Sequence, residues 1–194
     1  MIPQRHAHSK IGLLGGSFNP PHRGHREISL AALDWLGLEA VWWLVSPGNP
    51  LKDPDTYMPY AERLWQARRI ADHPSIVISN FEERRRLQYT VDTLAAVTDL
   101  WPQIRFVWLM GADSLATFHL WKDWKTIATL APLAVFSRPG FETAAETSEA
   151  GKELALFRLP ESEGGRLADA DPPAWAFYSA TANPISSTEL RKGR

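Results

Sequence analysis

Two histidines, His22 and His25, stand three residues apart just downstream of Gly15, Gly16 and Ser17, in the run GGSFNPPHRGH. The glycines let backbone amides approach an anion with no Cβ in the way. A helix that starts between the two imidazoles would add its N-terminal partial charge and its unpaired donors. With that start both rings project toward one phosphate, and Arg23 adds a fixed charge at the rim. The chemistry on offer is anion binding and charge stabilisation. Neither histidine is assigned to a metal, because a Cys or carboxylate partner at local metal-site spacing is missing. The turn is not a Walker loop, since no Gly-Lys-Ser or Gly-Lys-Thr follows, and it lacks the GxGxxG fingerprint. A plain Gly/Pro turn with two exposed histidines explains the glycine pair alone, but the whole undecapeptide between a strand and a helix is far more specific. A second anion site is readable near the other end of the sequence. There Pro184 closes an extended approach, and Ser186, Ser187 and Thr188 offer hydroxyl caps to a short helix that carries Arg191. Taken alone, that run is better explained as an ordinary N-cap, and it is the pairing with the first motif that favours phosphate.

These residues need a scaffold that delivers turns to one edge. Apolar blocks of strand length run over Ile11 to Leu14, Val41 to Val45, Ile76 to Ser79, Ile104 to Met110 and Leu133 to Phe136. Helical spacing fills the gaps: Ile28, Ala31, Ala32 and Trp35 within Arg26 to Leu36; Leu64, Ala67 and Ile70 within Tyr60 to Ala71; Val91, Leu94 and Val97 within Thr90 to Leu100. Strand and helix in alternation predict an α/β fold, a Rossmann-like parallel sheet with helices on both faces and right-handed crossovers. Ligands in such sheets sit beyond the carboxyl ends of the strands. Arg138 to Pro173 mixes Pro, Gly, Ser and Glu around one short apolar run, Leu154 to Leu159, and reads as a mobile excursion too short for a second domain. Residues 1–194 are therefore expected to form a single domain.

Composition narrows the partners. Apolar residues make up 44% and charged residues 22% of the 194, the balance of a chain that folds alone. A net charge of −1 gives no global field for a nucleic-acid backbone, so small molecules are expected and nucleic acid is not. Without cysteine, disulfides, thiolate metal sites and cysteine nucleophiles are excluded. No apolar stretch approaches the ~20 residues that span a bilayer, and the first residues lack the apolar core and cleavage site of a leader. A soluble cytoplasmic protein with no membrane partner is the expectation, and a homo-oligomer is compatible with it.

GGSFNPPHRGH resembles the first signature of the nucleotidyltransferase superfamily with the HxGH motif, and Ile185 to Arg191, ISSTELR, is similar to its second signature, ISSTxxR. Within that superfamily, LMGADSLATFHLWKDW at Leu109 to Trp124 and YTVDTL at Tyr89 to Leu94 resemble the bacterial nicotinate-nucleotide adenylyltransferases. NPLK at Asn49 to Lys52 and SRPG at Ser137 to Gly140 fit the same family. The likeness covers nearly the full chain apart from about the first ten residues and the stretch after Gly140.

The resemblance implies a role for each element. Gly15, Gly16, Ser17 and Phe18 would line ATP, with His22 and His25 on its α and β phosphates, and Ser187, Thr188 and Arg191 on the β and γ phosphates. Gly111, at the end of a strand, would let the nucleotide approach. Asp113 would accept from ribose hydroxyls or nearby donors, the alternative being the cap of a short helix. Lys52 could reach phosphate or be an ordinary exposed lysine. Asn19, Tyr89, Thr90 and Trp121 would take nicotinate mononucleotide: Trp121 by stacking on the pyridine, Thr90 by presenting its hydroxyl and amide to the carboxylate at a helix start. Thr90 is equally an ordinary helix-start threonine. Phe118, Trp121 and Trp124 recur every three residues, so two of them could simply pack a helix. The run Glu83, Arg84, Arg85, Arg86, Leu87, Gln88 departs from the glycine-containing approach usual in the family, and its arginines read as a solvated face.

The implied reaction is adenylyl transfer from ATP to nicotinate mononucleotide, giving the deamido dinucleotide and pyrophosphate. The attacking phosphate oxygen is already anionic, so neither a general base nor a covalent nucleophile is required. Mg²⁺ would accompany ATP, bridging phosphate oxygens largely through water. The rivals are another HxGH-superfamily adenylyl- or cytidylyltransferase, and a catalytically silent nucleotide-binding regulatory module. Intact His22, His25 and Arg191 count against the latter.

Overall fold

Five strands follow the apolar blocks in the computed structural model, which describes residues 9–48 and 58–180. They are β1 (Lys10–Gly16), β2 (Ala40–Val45), β3 (Ile76–Ser79), β4 (Arg105–Gly111) and β5 (Leu133–Phe136). Two more, β6 (Arg158–Leu159) and β7 (Trp175–Tyr178), complete a sheet in the order β3-β2-β1-β4-β5-β7-β6, and every pairing is parallel. The sequence AVWWLV of β2 shows why. Ala40, Trp42 and Leu44 enter one core layer and Val41, Trp43 and Val45 the other, so all six are buried. Only a strand covered on both faces tolerates such a run.

One face carries α1 (Arg23–Trp35) and α2 (Tyr60–Ala71), through Ala32, Leu64, Ala67 and Ala71. The other carries α3 (Phe81–Arg85), α4 (Thr90–Leu100), α5 (Ala112–Ala116), α6 (Trp124–Leu130), α7 (Glu142–Thr147) and α8 (Glu149–Glu153). The ranges of α2 and α4 are those of the apolar period. Helix α1 begins at Arg23, three residues before the expected start at Arg26, because its first turn is held by the histidine motif. Within the described residues no helix is long and apolar enough to cross a membrane.

The stretch from Arg138 to Pro173 is not the irregular excursion its composition suggests. It folds as α7, α8, the 3₁₀ turns Ala155–Phe157 and Glu161–Asp169, and the edge strand β6. Contacts distant in sequence hold it: the Trp175 indole donates to the Leu154 carbonyl at 2.8 Å, and the Trp35 indole to that of Glu161 at 2.8 Å. Lys10 pairs with Asp169 at 2.6 Å. Local composition carries no trace of these partners.

Candidate active site

The strand order reverses between β1 and β4, where β2 lies to one side and β5 to the other. Two crossovers that diverge there leave a crevice at the carboxyl ends, and Gly16 and Gly111 are the strand residues that reach it. Packing alone already requires one glycine of the first turn. A Cβ on Gly15 would collide with the Trp108 ring, whereas one on Gly16 would meet Phe18 only at ordinary contact distance.

His22 is the N-cap of α1, in extended conformation, so the helix starts between the two histidines. The His25 amide donates to the His22 carbonyl at 3.1 Å, and the His22 amide donates back to Nδ1 of His25 at 3.2 Å. The ring centroids lie 3.8 Å apart. A nitrogen that accepts carries no hydrogen, so neutral His25 holds its single N–H at Nε2. The ring is supported from below by Phe18, at 4.6 Å, which itself stacks on Trp43 at 4.9 Å. Phe18 reaches that position through a left-handed backbone (φ 46°) and is buried. Ser29 completes the support, donating to the His25 carbonyl at 2.8 Å and accepting from the Trp43 indole at 2.7 Å.

Burial, helped by the Arg138 charge and opposed by Glu27, pushes His22 down to about 4. Burial again, then the neighbouring His22 and Arg138, hold His25 well below the usual imidazole range. Both rings are therefore neutral at pH 7 and act as hydrogen-bond donors. An arriving polyanion favours their charged forms and so draws protons to them.

Arg138 follows β5 and forms an ion pair with Asp113, in the first turn of α5. The nearby donor of Asp113 is thus this guanidinium, and the helix cap is Gly111, not the aspartate. A Cβ at Gly111 would strike the Asp113 carboxylate, which gives that glycine a second reason beyond nucleotide approach. A further arginine, Arg63 of α2, is buried, and its guanidinium donates to the carbonyls of Ser17 (2.5 Å), Ser46 (2.8 Å), Pro47 (2.8 Å) and Met58 (3.1 Å). It straps the turns after β1 and β2 together beneath the crevice.

Tyr89 and Thr90 open α4, and the segment that carries Trp121 reaches them through its next residue, Lys122. Tyr89 is the extended N-cap of α4, and the first bond of the helix ladder runs from the Thr93 amide to the Tyr89 carbonyl at 3.1 Å. The amides of Thr90, Val91 and Asp92 precede that ladder and point out of the helix end. The Lys122 ammonium lies 4.4 Å from the Tyr89 ring and 3.6 Å from the Asp92 carboxylate. Of the three spaced aromatics, Phe118 and Trp124 are core, and Trp121 is left half-buried with an edge on Phe118 at 5.4 Å. Arg84, Arg85 and Arg86 are exposed, as a solvated face requires. Asn19 stays with the first turn, buried, its Oδ1 accepting from the Met58 amide at 3.0 Å. Lys52, Ser187, Thr188 and Arg191 lie outside the described residues.

Arg138 and Arg63 were not among the expected site residues. Arg138 had a signal, since SRPG sits where a strand meets the ligand-bearing edge. Arg63 had a weaker one: it falls on the same helical stripe as Ala67 and Ile70, where a charge has no reason to be unless it is paired inside.

The cytidylyltransferase-like family model matches residues 13–193. A Ruegeria sp. protein named "Probable nicotinate-nucleotide adenylyltransferase" is 48% identical over 183 residues, 94% of this chain and 96% of its own length. A Bradyrhizobium sp. protein of the same name is 50% identical over 182 residues, covering 94% and 95%. Among solved structures, the Plasmodium falciparum nicotinic acid mononucleotide adenylyltransferase complexed with NaAD superposes with a TM-score of 0.70 at 18% identity, over 95% of this chain and 83% of that one, a likeness of fold. With a family model spanning nearly all of the chain and relatives half identical along their whole length, the chain belongs to the nicotinate-nucleotide adenylyltransferases of the cytidylyltransferase-like family.

Proposed function

We infer that the chain transfers the adenylyl group of ATP to nicotinate mononucleotide, forming nicotinate adenine dinucleotide and pyrophosphate in the biosynthesis of NAD. The observation that carries this reading is the near-half identity with named nicotinate-nucleotide adenylyltransferases over 94% of the chain. A phosphate oxygen of the mononucleotide attacks the α phosphorus of ATP, the bond to the bridging oxygen breaks, and pyrophosphate leaves with the electron pair. No proton has to be removed from the nucleophile, so the protein's task is positioning and charge stabilisation.

The histidine pair supports that task. His25 aims one Nε2–H donor, oriented by the bond at its Nδ1, and His22 and Arg138 add a second donor and a fixed positive charge. Gly15, Gly16, Ser17 and the main chain of Phe18 would line the phosphates, Gly111 and Asp113 the nucleoside, with Lys52, Ser187, Thr188 and Arg191 on the outer phosphates. On the acceptor side, the outward amides at the start of α4 suit a carboxylate, and Trp121 and Tyr89 suit a flat ring. Mg²⁺ would enter as the partner of ATP, neutralising phosphate charge. The fit is to an ion carried by the phosphates, since the Asp113 carboxylate is engaged by Arg138. The cytoplasm is the compartment proposed. A pyrophosphate-release assay with ATP or CTP and a panel of acceptors, nicotinate and nicotinamide mononucleotides and phosphopantetheine among them, tests the reading. Turnover confined to ATP with another acceptor would reject it.

A further inference from the structure

Helix α4 must offer its first turn at a fixed position, yet the connection that leads into it, Arg86 to Tyr89, is mostly exposed. Its buried face, Val91, Leu94 and Val97, sets how deep the helix lies. Apolar packing is not directional and resists sliding along the axis poorly. One residue grips both ends of that connection. The main-chain carbonyl of Glu82 accepts from the Leu87 amide at 2.9 Å, and its side-chain Oε1 accepts from the Thr93 hydroxyl at 2.9 Å, one turn beyond Thr90. Both partners are buried, Glu82 at 7% exposure and Thr93 at 0%.

A carboxyl group in that place is expensive in stability, and two apolar side chains of similar size would fill the space more cheaply. Its distinguishing property is direction: a 2.9 Å bond fixes the rotation and the axial position of α4 relative to α3, which packing alone does not. On the outer side, Lys122 reaches the same first turn through Asp92 and Tyr89. The start of α4 is thereby held from two sides.

We propose that Glu82 is a positioning residue for the acceptor half of the site, setting Tyr89 and Thr90 against the nicotinate mononucleotide through its bond to Thr93. The proposal rests on the functional reading above, because it assigns those residues to the acceptor. Thr93→Val removes the hydroxyl with almost no change of shape. It should raise KM for nicotinate mononucleotide about 3- to 10-fold, the range that one net hydrogen bond covers, while KM for ATP and kcat stay within about twofold. Glu82→Gln keeps an acceptor for Thr93 and should hold the acceptor KM near the wild-type value. The double variant Glu82→Met with Thr93→Val refills the volume without the directed bond, so its Tm should recover while the acceptor KM remains raised.

An unmoved acceptor KM in Thr93→Val overturns the proposal, as does an equal rise for both substrates. Recovery of KM together with Tm in the double variant also overturns it, since packing would then suffice. If Thr93→Val fails to fold, the double variant against Glu82→Gln makes the same comparison. Wild-type turnover with an unmoved variant rejects the proposal alone, whereas a wild type inactive on nicotinate mononucleotide rejects the functional reading and takes the proposal with it.

Discussion

Replacing His25 separates two things that this ring does. Its Nδ1 accepts from the His22 amide at 3.2 Å, and its Nε2–H is left to meet phosphate. Asparagine places an oxygen where Nδ1 stood and has nothing at Nε2, so His25→Asn keeps the helix start and deletes the outward donor. His25→Ala deletes both. Loss of one preorganised donor to developing charge costs on the order of 10²- to 10³-fold in rate, roughly 2.7 to 4 kcal/mol. Because the bond strengthens as charge builds, kcat and kcat/KM should fall together. Stability should respond differently. Either change removes ring contacts to Phe18 and His22, centroids 4.6 and 3.8 Å away, worth about 0.5 to 1.5 kcal/mol. Alanine also leaves the His22 amide without its partner, for about 1 kcal/mol more. At about 2 to 4 °C per kcal/mol in a chain of this size, the asparagine variant should melt a few degrees lower and the alanine variant about twice as far. Steady-state pyrophosphate release at neutral pH gives the rates, and thermal melts followed by circular dichroism give the stabilities. An asparagine variant with wild-type kcat would refute the role of Nε2. A rate loss that scaled with the fall in melting temperature across the two variants would refute the separation of roles.

Burial, against the bond from Thr93, pushes Glu82 up to about 7, from an ordinary value of 4.5. Between those values the folded chain keeps a proton that the unfolded chain releases, so stability is lost as pH rises through that window. Glu82→Gln should therefore melt higher than wild type at pH 8, with the difference vanishing near pH 4, and melting curves at the two pH values check this. Arg63→Met would leave the carbonyls of Ser17, Ser46, Pro47 and Met58 without their shared donor, and a buried acceptor left without a partner costs about 1 to 3 kcal/mol. Urea denaturation should show that loss, and Arg63→Lys should recover little of it, because an ammonium cannot reproduce the guanidinium fork. Trp121→Ala should lower kcat/KM for nicotinate and nicotinamide mononucleotides alike while keeping most of the preference for nicotinate, since stacking is common to both rings and the amides of α4 are not disturbed. Kinetics on both acceptors would count against the stacking role if efficiency were unimpaired, and against the carboxylate pocket if the wild type showed no preference.

The histidine turn, the strands β1 to β5 and helices α2 and α4 could be read from the sequence because each follows from neighbours along the chain. A two-face apolar run such as AVWWLV has few fates besides a buried parallel strand, and a Gly-Gly-Ser turn before His-x-Gly-His fixes both where the strand stops and where a helix starts. The same locality explains why Thr90 could be placed at the first residue of α4, whereas Trp121 was singled out among the aromatics by the family resemblance and not by its spacing. Tertiary structure decided what depended on convergence. Arg63 is buried because the carbonyls of Ser17, Ser46, Pro47 and Met58 meet at one point, and Asp113 faces Arg138 because β4 and β5 are neighbours in the sheet. The Pro-, Gly- and Ser-rich stretch after Arg138 folds into helices and an edge strand because Trp35, Trp175 and Lys10 supply bonds from distant elements. Local spacing records the conformation a segment prefers; whether a charge, an indole N–H or a carboxyl finds a partner is set by which chain ends the sheet brings side by side, and hydrogen bonds and ion pairs act only over that short final distance.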